Sequence, residues 1–442
     1  MSLMASIALI GFVPLSLVLF ALMPARRAVL TCYIAGWLFL PNSGFHYSGI
    51  PDYNKQAAIA LGTLLGVTIF DASAVYRFRP SVMDLAMAIF CIWPMFSYLN
   101  QGHGPETGLN WIIFHLNLWG IPYLFGRIYF SDQEGLRELA IGVFIGGLVY
   151  APLCWLEVRI SPQLSRMVYG QGLSALTQHI RYGGYRPLLF MQHGLMVSLW
   201  MATTTVVGFW LWQCKTIRRI GVIPMNVLVP FMFFTTIFAC KSGNGVFALA
   251  YGVVSFMVVS KTKSVAIILL LALVPPTYII VRSTGIWSGQ NLLDLIAFDN
   301  ERMGSLRVRM YQEDVYTKNA RRQFLYGWAG PGMIPRDENG QKLTKGNDSF
   351  WIITFSMYGV VSLVSIFVVL AAAPTAWALA QHLRFATNLS GPGAGLALMV
   401  IIFAIDCLAN GMIIPIFLLA AGALMRSKKT ETEPEILAYH LV

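Results

Sequence analysis

Three stretches of this chain place cations, carboxylates and glycines at spacings that suit phosphate binding or proton transfer. The first runs Gln178-His179-Ile180-Arg181-Tyr182-Gly183-Gly184-Tyr185-Arg186-Pro187 and continues to Met191-Gln192-His193-Gly194. Arg181 and Arg186 precede an apolar run, and a guanidinium can hold a phosphate with two parallel N–H bonds. Pro187 suits the first position of a helix, which would place His193 about two turns inside it. The plainer roles are arginines meeting lipid headgroups and a histidine bonded to a neighbouring helix. The second stretch is Cys240-Lys241-Ser242-Gly243-Asn244-Gly245. Its glycines let backbone approach a ligand closely, and Lys241 supplies a charge. A tight helical hairpin with a snorkelling lysine would read the same way.

The third stretch opens at Glu301-Arg302-Met303-Gly304-Ser305-Leu306-Arg307-Val308-Arg309-Met310-Tyr311 and reads as helix to about residue 322, with Ser305 as its N-cap. Arg307 and Tyr311 lie four apart and share a face, with Arg302 and Arg309 nearby. A glycine-rich turn follows, Leu325-Tyr326-Gly327-Trp328-Ala329-Gly330-Pro331-Gly332. The stretch ends Lys345-Gly346-Asn347-Asp348-Ser349-Phe350-Trp351, with Asp348 where a helix N-cap is expected. Asp348 is then either a cap or a positioned base, and the arginines either a solvated face or an anion site. Asp406 stands inside an apolar segment, where a charge is expensive and is either functional or paired with a neighbouring helix. Asp84 and Glu157 read as interfacial.

The elements that must position these residues are membrane-spanning helices. The chain has 442 residues, 57% of them hydrophobic and 12% charged. Ordinary soluble domains carry about 25% charged residues, so a polar exterior is out of reach, and the mean hydropathy of +0.64 agrees. Apolar runs fall at about 2–23, 28–41, 56–72, 82–99, 108–127, 136–157, 187–212, 222–240, 245–260, 264–281, 350–380, 391–408 and 411–425. A span needs about 20 apolar residues. The expected fold is therefore an all-α polytopic bundle of twelve or thirteen helices, one domain over 1–442, with loops at 158–186 and 282–349. The run at 350–380 is long enough to tilt or extend beyond the bilayer, and the last two runs read either as two helices or as one interrupted at Asp406, Asn410 and Gly411, hence the count of twelve or thirteen. Residues 2–23 lack a basic leader and read as a retained first helix.

The net charge of +11 comes from basic residues that punctuate the apolar runs, with no motif for nucleic acid. Fifteen Lys and Arg fall in one set of alternate loops, and outside the two long loops the other set holds only Lys55 and Lys241. The positive-inside rule then makes the first set cytoplasmic and the two long loops external. Cys32, Cys91, Cys154, Cys214, Cys240 and Cys407 stand singly in or beside apolar runs and read as packing residues. No internal repeat is visible, which counts against a transporter built from inverted repeats.

In its third stretch the chain resembles the O-antigen polymerase and O-antigen ligase family of bacterial membrane glycosyltransferases. That family's pattern runs S-x-R-x-x-x-W, a P-x-x-G-x-G-like turn, and H-N-x-aromatic before a helix with G-x-x-G. The matching residues are Ser305-Leu306-Arg307 with Tyr311 for the tryptophan, Gly327-Trp328-Ala329-Gly330, Asn347-Asp348-Ser349-Phe350, and Gly359. Arg186-Pro187 and Lys241-Ser242-Gly243 fall where the family keeps its R-P and S-R elements. Gly346 replaces the histidine, and Lys241-Ser242 lacks the arginine. The resemblance covers about residues 180–370. It implies metal-independent and cofactor-free transfer of an oligosaccharide from a polyprenyl-pyrophosphate donor at the periplasmic face of a bacterial inner membrane, with other polysaccharide assembly proteins as partners. In that chemistry Arg186, Arg307 and Lys241 would hold the pyrophosphate, backed by Arg181, Arg302 and Arg309. Asp348, then His193, would be the base. Asn347 and Tyr311 would contact substrate, and Trp328, Tyr326 and Trp351 would stack on sugars. A polymerase is expected first and a ligase second, with a transporter or flippase as the reading from another class.

Overall fold

The structure is a computed structural model. It describes all residues except Ser48, Arg77, 171–179, Tyr182, 288–299, 337–347, 382–389 and 426–442, and it leaves the side chains of Ile50, Arg181, 300–306 and Pro331 undescribed. The expectations placed on Gln178, His179, Lys345, Gly346 and Asn347, and on the side chains of Arg181 and Arg302, lie outside the described residues.

The chain is mostly helical. In order, the helices used below are α1 (Leu3–Leu22), α2 (Ala25–Phe39), α3 (Lys55–Phe70), α4 (Val82–Asn100), α5 (Pro105–His115), α6 (Ile121–Tyr129), α7 (Gln133–Ile160), α8 (Gly194–Gln213), α9 (Met225–Phe234), α10 (Gly243–Thr262), α11 (Ala266–Thr284), α12 (Asn300–Ala320), α13 (Phe350–Gln381), α14 (Gly391–Asp406) and α15 (Pro415–Leu424). Among the described residues, seven helices are long and apolar enough to cross a membrane: α1, α4, α7, α8, α10, α11 and α13. Leu3, Ile7, Ile10 and Leu22 are among many large apolar side chains left on the outside. That surface is compatible with a lipid surround.

Burial sorts the helices. Helix α8 is covered on nearly every side, α14 likewise, whereas α1 and α11 bury narrow stripes. Small residues allow the closest approaches. A Cβ on Gly126 would strike the backbone of Leu419, and one on Gly422 the backbone of Tyr123, so α6 and α15 meet backbone to backbone. All six cysteines are buried and none is in a disulfide.

Several helices are broken, and the breaks are what build the site. Among the described residues two π-turns interrupt the bundle, Leu116–Gly120 between α5 and α6 and Thr235–Ala239 after α9. The long run at 350–380 does not simply tilt. It breaks at Gly359, whose φ of 74° and ψ of −172° suit glycine alone. Phe350 and Phe367 have ring centroids 6.3 Å apart, although a straight helix would part those residues by about 25 Å. The halves 350–358 and 360–381 therefore fold back on each other. Phe350 stacks on Trp119 at 5.0 Å, and Trp119 packs on Phe90 at 5.1 Å, halfway along α4. Helix α13 thus starts deep inside the bundle, not at its surface. Helices α14 and α15 are separate, joined by non-helical residues 407–414.

The broken ends satisfy one another. The amide of Phe350 donates to the carbonyl of Asn410 at 3.4 Å and that of Trp351 to Cys407 at 3.3 Å, so the start of α13 uses carbonyls freed between α14 and α15. At Gly359 the turn 324–329 takes over: Val360 donates to Phe324 (2.8 Å), Trp328 to Ser356 (2.8 Å) and Ala329 to Met357 (3.0 Å). Gln101, just past α4, donates to the Gly327 carbonyl at 3.0 Å. Irregular backbone at this depth persists only where protein supplies its hydrogen bonds.

Candidate functional site

Residues 186–193 form a loop rather than the start of a helix, and Glu157 is the reason. Its buried carboxylate accepts the amides of Leu188 and Leu189, both at 2.7 Å, and of Leu164 at 2.9 Å. Three backbone donors on one carboxylate offset its desolvation. From the other side, Lys55 Nζ (3.2 Å) and Asn42 Nδ2 (2.8 Å) donate to the Phe190 carbonyl. Helix α8 therefore begins at Gly194, Pro187 lies seven residues before it, and His193 is its N-cap, not a residue two turns inside. The His193 Nδ1 accepts the Leu195 amide at 3.1 Å. Glu157, expected at an interface, is instead the buried fastening of this loop. Asp84, read the same way, pairs with buried Arg127 at 2.9 Å. Arg186 is 7% exposed, and its side chain lies over Gly194, where a Cβ would collide with it.

The strands Ile180–Arg181 and Gly184–Tyr185 form a two-residue hairpin in which Arg181 pairs with Gly184. Lys241 reaches this hairpin. A Cβ on Gly184 would collide with Lys241 Nζ, so glycine is what lets the ammonium come so close. Lys241 itself has a φ of 45°, a backbone region a lysine seldom adopts. The first and second stretches thereby meet, with Lys241 against the hairpin that precedes Arg186.

Three residues beyond Lys241, Asn244 Nδ2 donates to Asp406 Oδ1, and Asn410 Nδ2 donates to the same oxygen at 2.8 Å. Asp406 is 5% exposed, and its Oδ2 has no hydrogen-bond partner among the described residues. Arg309 is the cation whose charge acts on it. Asp406 thus has two amide partners, which is the pairing role open to a carboxylate inside an apolar segment.

Arg309 is positioned by a clamp on α12. Buried Arg282, near the end of α11, pairs with Glu313 and Asp314, both at 3.0 Å, and donates to the Met310 carbonyl at 3.2 Å. The Tyr278 hydroxyl donates to Glu313 at 2.8 Å. Burial pushes the Glu313 carboxyl above its usual range, with Tyr278 and Arg282 opposing. Helix α12 starts at Asn300, so Ser305 lies within it and does not cap it. Arg307 and Tyr311 point outward, Tyr311 being 56% exposed.

Asp348 is exposed, with its carbonyl against Gly411 of the break between α14 and α15. The cap position of α13 belongs to Ser349, whose carbonyl accepts the Ile353 amide at 3.1 Å, which corrects the expectation for Asp348. Three aromatics proposed to stack on sugars are already engaged. Trp351 is fully buried, Tyr326 stacks on Trp93 at 5.4 Å, and Trp328 donates its indole N–H to the Asn319 carbonyl at 3.0 Å.

The structure thus joins Lys241 to the hairpin 180–185 and, through Asn244, to Asp406 and the 407–414 break, where Asp348 also lies. Arg307 and Tyr311 lie on α12 and Trp328 in the turn 324–329, and no contact among the described residues ties them to that cluster. Asn244, Asn410, Glu157 and the Arg282–Glu313 clamp were not foreseen as parts of the site. No protein-family model, curated protein or solved structure matches the chain.

Proposed function

We propose that this protein is a membrane glycosyltransferase that polymerises oligosaccharide repeat units carried on polyprenyl pyrophosphate. One observation carries the reading: Lys241, three residues before Asn244, is tied through the Asn244–Asp406 bond to the 407–414 break, where Asp348 stands exposed. Fixed cations suit a pyrophosphate leaving group, and a carboxylate suits the acceptor hydroxyl. In the proposed step the bond from the donor sugar's C1 to the pyrophosphate oxygen breaks. The pyrophosphate leaves with the electron pair toward Lys241 and Arg186, with Arg181, Arg302, Arg307 and Arg309 behind them. The acceptor hydroxyl forms the new bond to C1 and passes its proton to Asp348. Asp348 is assigned this role because its carboxylate is exposed, and His193 because of its cap stands second. Asn347 and Tyr311 belong to the sugar-binding side of the same proposal.

The reading includes a bacterial inner-membrane location with twelve or thirteen spans, the site facing the periplasm, and polysaccharide assembly proteins as partners. Helices α3, α14 and α15 and residues 225–239 are shorter apolar helices that would bring the seven spans to eleven, with α2 and the run 105–129 left to supply the rest. A ligase, moving finished glycan to lipid A-core or protein, differs only in its acceptor. Gly346 in place of the family's histidine favours the polymerase. Transport is the second reading, and the helix breaks at Gly359 and 407–414 are the observation that favours it.

The test incubates the purified protein with polyprenyl-pyrophosphate-linked repeat units and a chelator. The expected product is a ladder of lengthening lipid-linked glycans that is lost in Arg307→Ala. A single shift that requires an added acceptor means ligase. No glycan product, with gradient-dependent movement of the lipid-linked unit in vesicles, means transport.

A further inference from the structure

Helix α14 ends inside the protein at Asp406, and no helix resumes until Pro415. The chain turns tightly there. Leu408 donates to the Ile405 carbonyl at 3.1 Å, and Ala409 and Asn410 both donate to the Asp406 carbonyl, at 2.9 and 2.8 Å. This turn lays the Asn410 side chain on Asp406, where its amide N–H meets Oδ1 at 2.8 Å. Asn244 donates to the same oxygen. Both donors therefore serve one oxygen of the carboxylate. Asp406 Oδ2 and Asn410 Oδ1, the other oxygens of that bonded pair, are buried and have no hydrogen-bond partner among the described residues. The two residues are 5% and 4% exposed. Arg309 acts on Asp406 through its charge but donates nothing to Oδ2. A buried carboxylate in this state needs a positive partner.

We infer that Asp406 Oδ2 and Asn410 Oδ1 bind a sodium ion at the C-terminus of α14. The donor chemistry selects the ion. Both groups are oxygens, which suit a hard cation and not a soft one. One carboxylate balances one positive charge, whereas a divalent ion would leave a charge uncompensated in the interior. Asp406 closes a 16-residue helix, whose dipole favours a cation at that end. Residues 407–414 are non-helical, so their carbonyls can complete the shell. The C-terminal ends of broken helices and unwound carbonyls are what hold sodium within membrane proteins. Gly411, Met412 and Ile413 are partly exposed, which brings water to the break. The ion has no part in sugar chemistry, and the inference is independent of the glycosyltransferase reading. Its role is to fasten the end of α14 to the break that follows it and, through Asn244, to the start of α10.

Retention of radioactive sodium by the purified full-length protein in detergent tests this. We expect about one saturable ion per chain, displaced by excess sodium chloride and not by choline chloride at equal ionic strength. Asp406→Asn keeps an acceptor for both amides and removes the charge, so it should weaken retention about tenfold or more. Sodium should also raise the parent's unfolding temperature, because it binds the folded state alone, and Asp406→Asn should lose that rise. No saturable retention by the parent overturns the assignment without recourse to a variant. Retention or a thermal rise unchanged in Asp406→Asn overturns it as well. A parent stabilised by acid and indifferent to sodium shows that a proton neutralises Asp406, which also removes the ion.

Discussion

At the scale of single residues, two carboxylates near one helix break carry different duties. Asp406 is buried and bonded by Asn244 and Asn410. Asp348 is exposed and holds no such partners among the described residues. Removing Asp406 leaves the buried amide of Asn410 and the half-buried amide of Asn244 without their acceptor, a loss of about 1–3 kcal/mol. Asp406→Ala should therefore lower the unfolding temperature, whereas Asp348→Asn should leave it unchanged and slow elongation by about 10²–10⁴-fold, the usual contribution of a positioned base. If Asp406→Ala unfolds like the parent but cannot elongate, the two assignments exchange. Asp406 was visible in the sequence because a charge inside an apolar run is conspicuous. Its partner Asn244 was not, because 162 residues separate them and an asparagine in a glycine-rich turn has many ordinary uses. The histidine was misplaced for a comparable reason. Pro187 looks like a helix start, but Glu157, some 30 residues earlier, captures the next two amides and holds the chain in a loop.

At the scale of elements, the breaks matter more than the helices. The apolar run at 350–380 looks continuous because hydropathy measures side chains, whereas the fold-back at Gly359 is a backbone event. Its signature is spread over the chain: Gly359 must approach the Leu325 carbonyl, and Gly327 must approach Met357. One glycine in a long apolar run carries no such message alone. The paired glycines predict a contrast. Gly359→Ala combines a disallowed backbone region, about 1–3 kcal/mol, with collision against backbone that cannot give way. Gly330 has a φ of 128° but open space around it, so Gly330→Ala carries strain without collision. Thermal unfolding in detergent should therefore show Gly359→Ala well below Gly330→Ala. Equal midpoints would mean that the turn 324–329 is not docked on the break as described.

At the scale of the whole molecule, the candidate site needs an address, and the chain's two ends differ in what they expose. The hairpin 219–224 lies at the end with the short basic loops, with Val222 93% exposed. Met167 and Ile286, 70% and 78% exposed, flank the two long loops at the other end. Lys241, Arg309 and Asp348 are tied to that second end through the hairpin 180–185, the α11–α12 clamp and the deep start of α13. The charge argument assigns the short-loop end to the cytoplasm because basic residues resist translocation. It says nothing of the long loops, whose arginines need another use, and a diphosphate carrier would supply one. All six native cysteines are buried, so a single added thiol reports its own side. A membrane-impermeant maleimide applied to intact spheroplasts should label Met167→Cys and Ile286→Cys at once, and Val222→Cys only after the membrane is opened. Labelling of Val222→Cys alone in sealed cells would invert the molecule and place the cation cluster in the cytoplasm. Donor units there would still be unexported, and the polymerase reading would have to yield to one in which the protein moves its lipid-linked substrate across the bilayer.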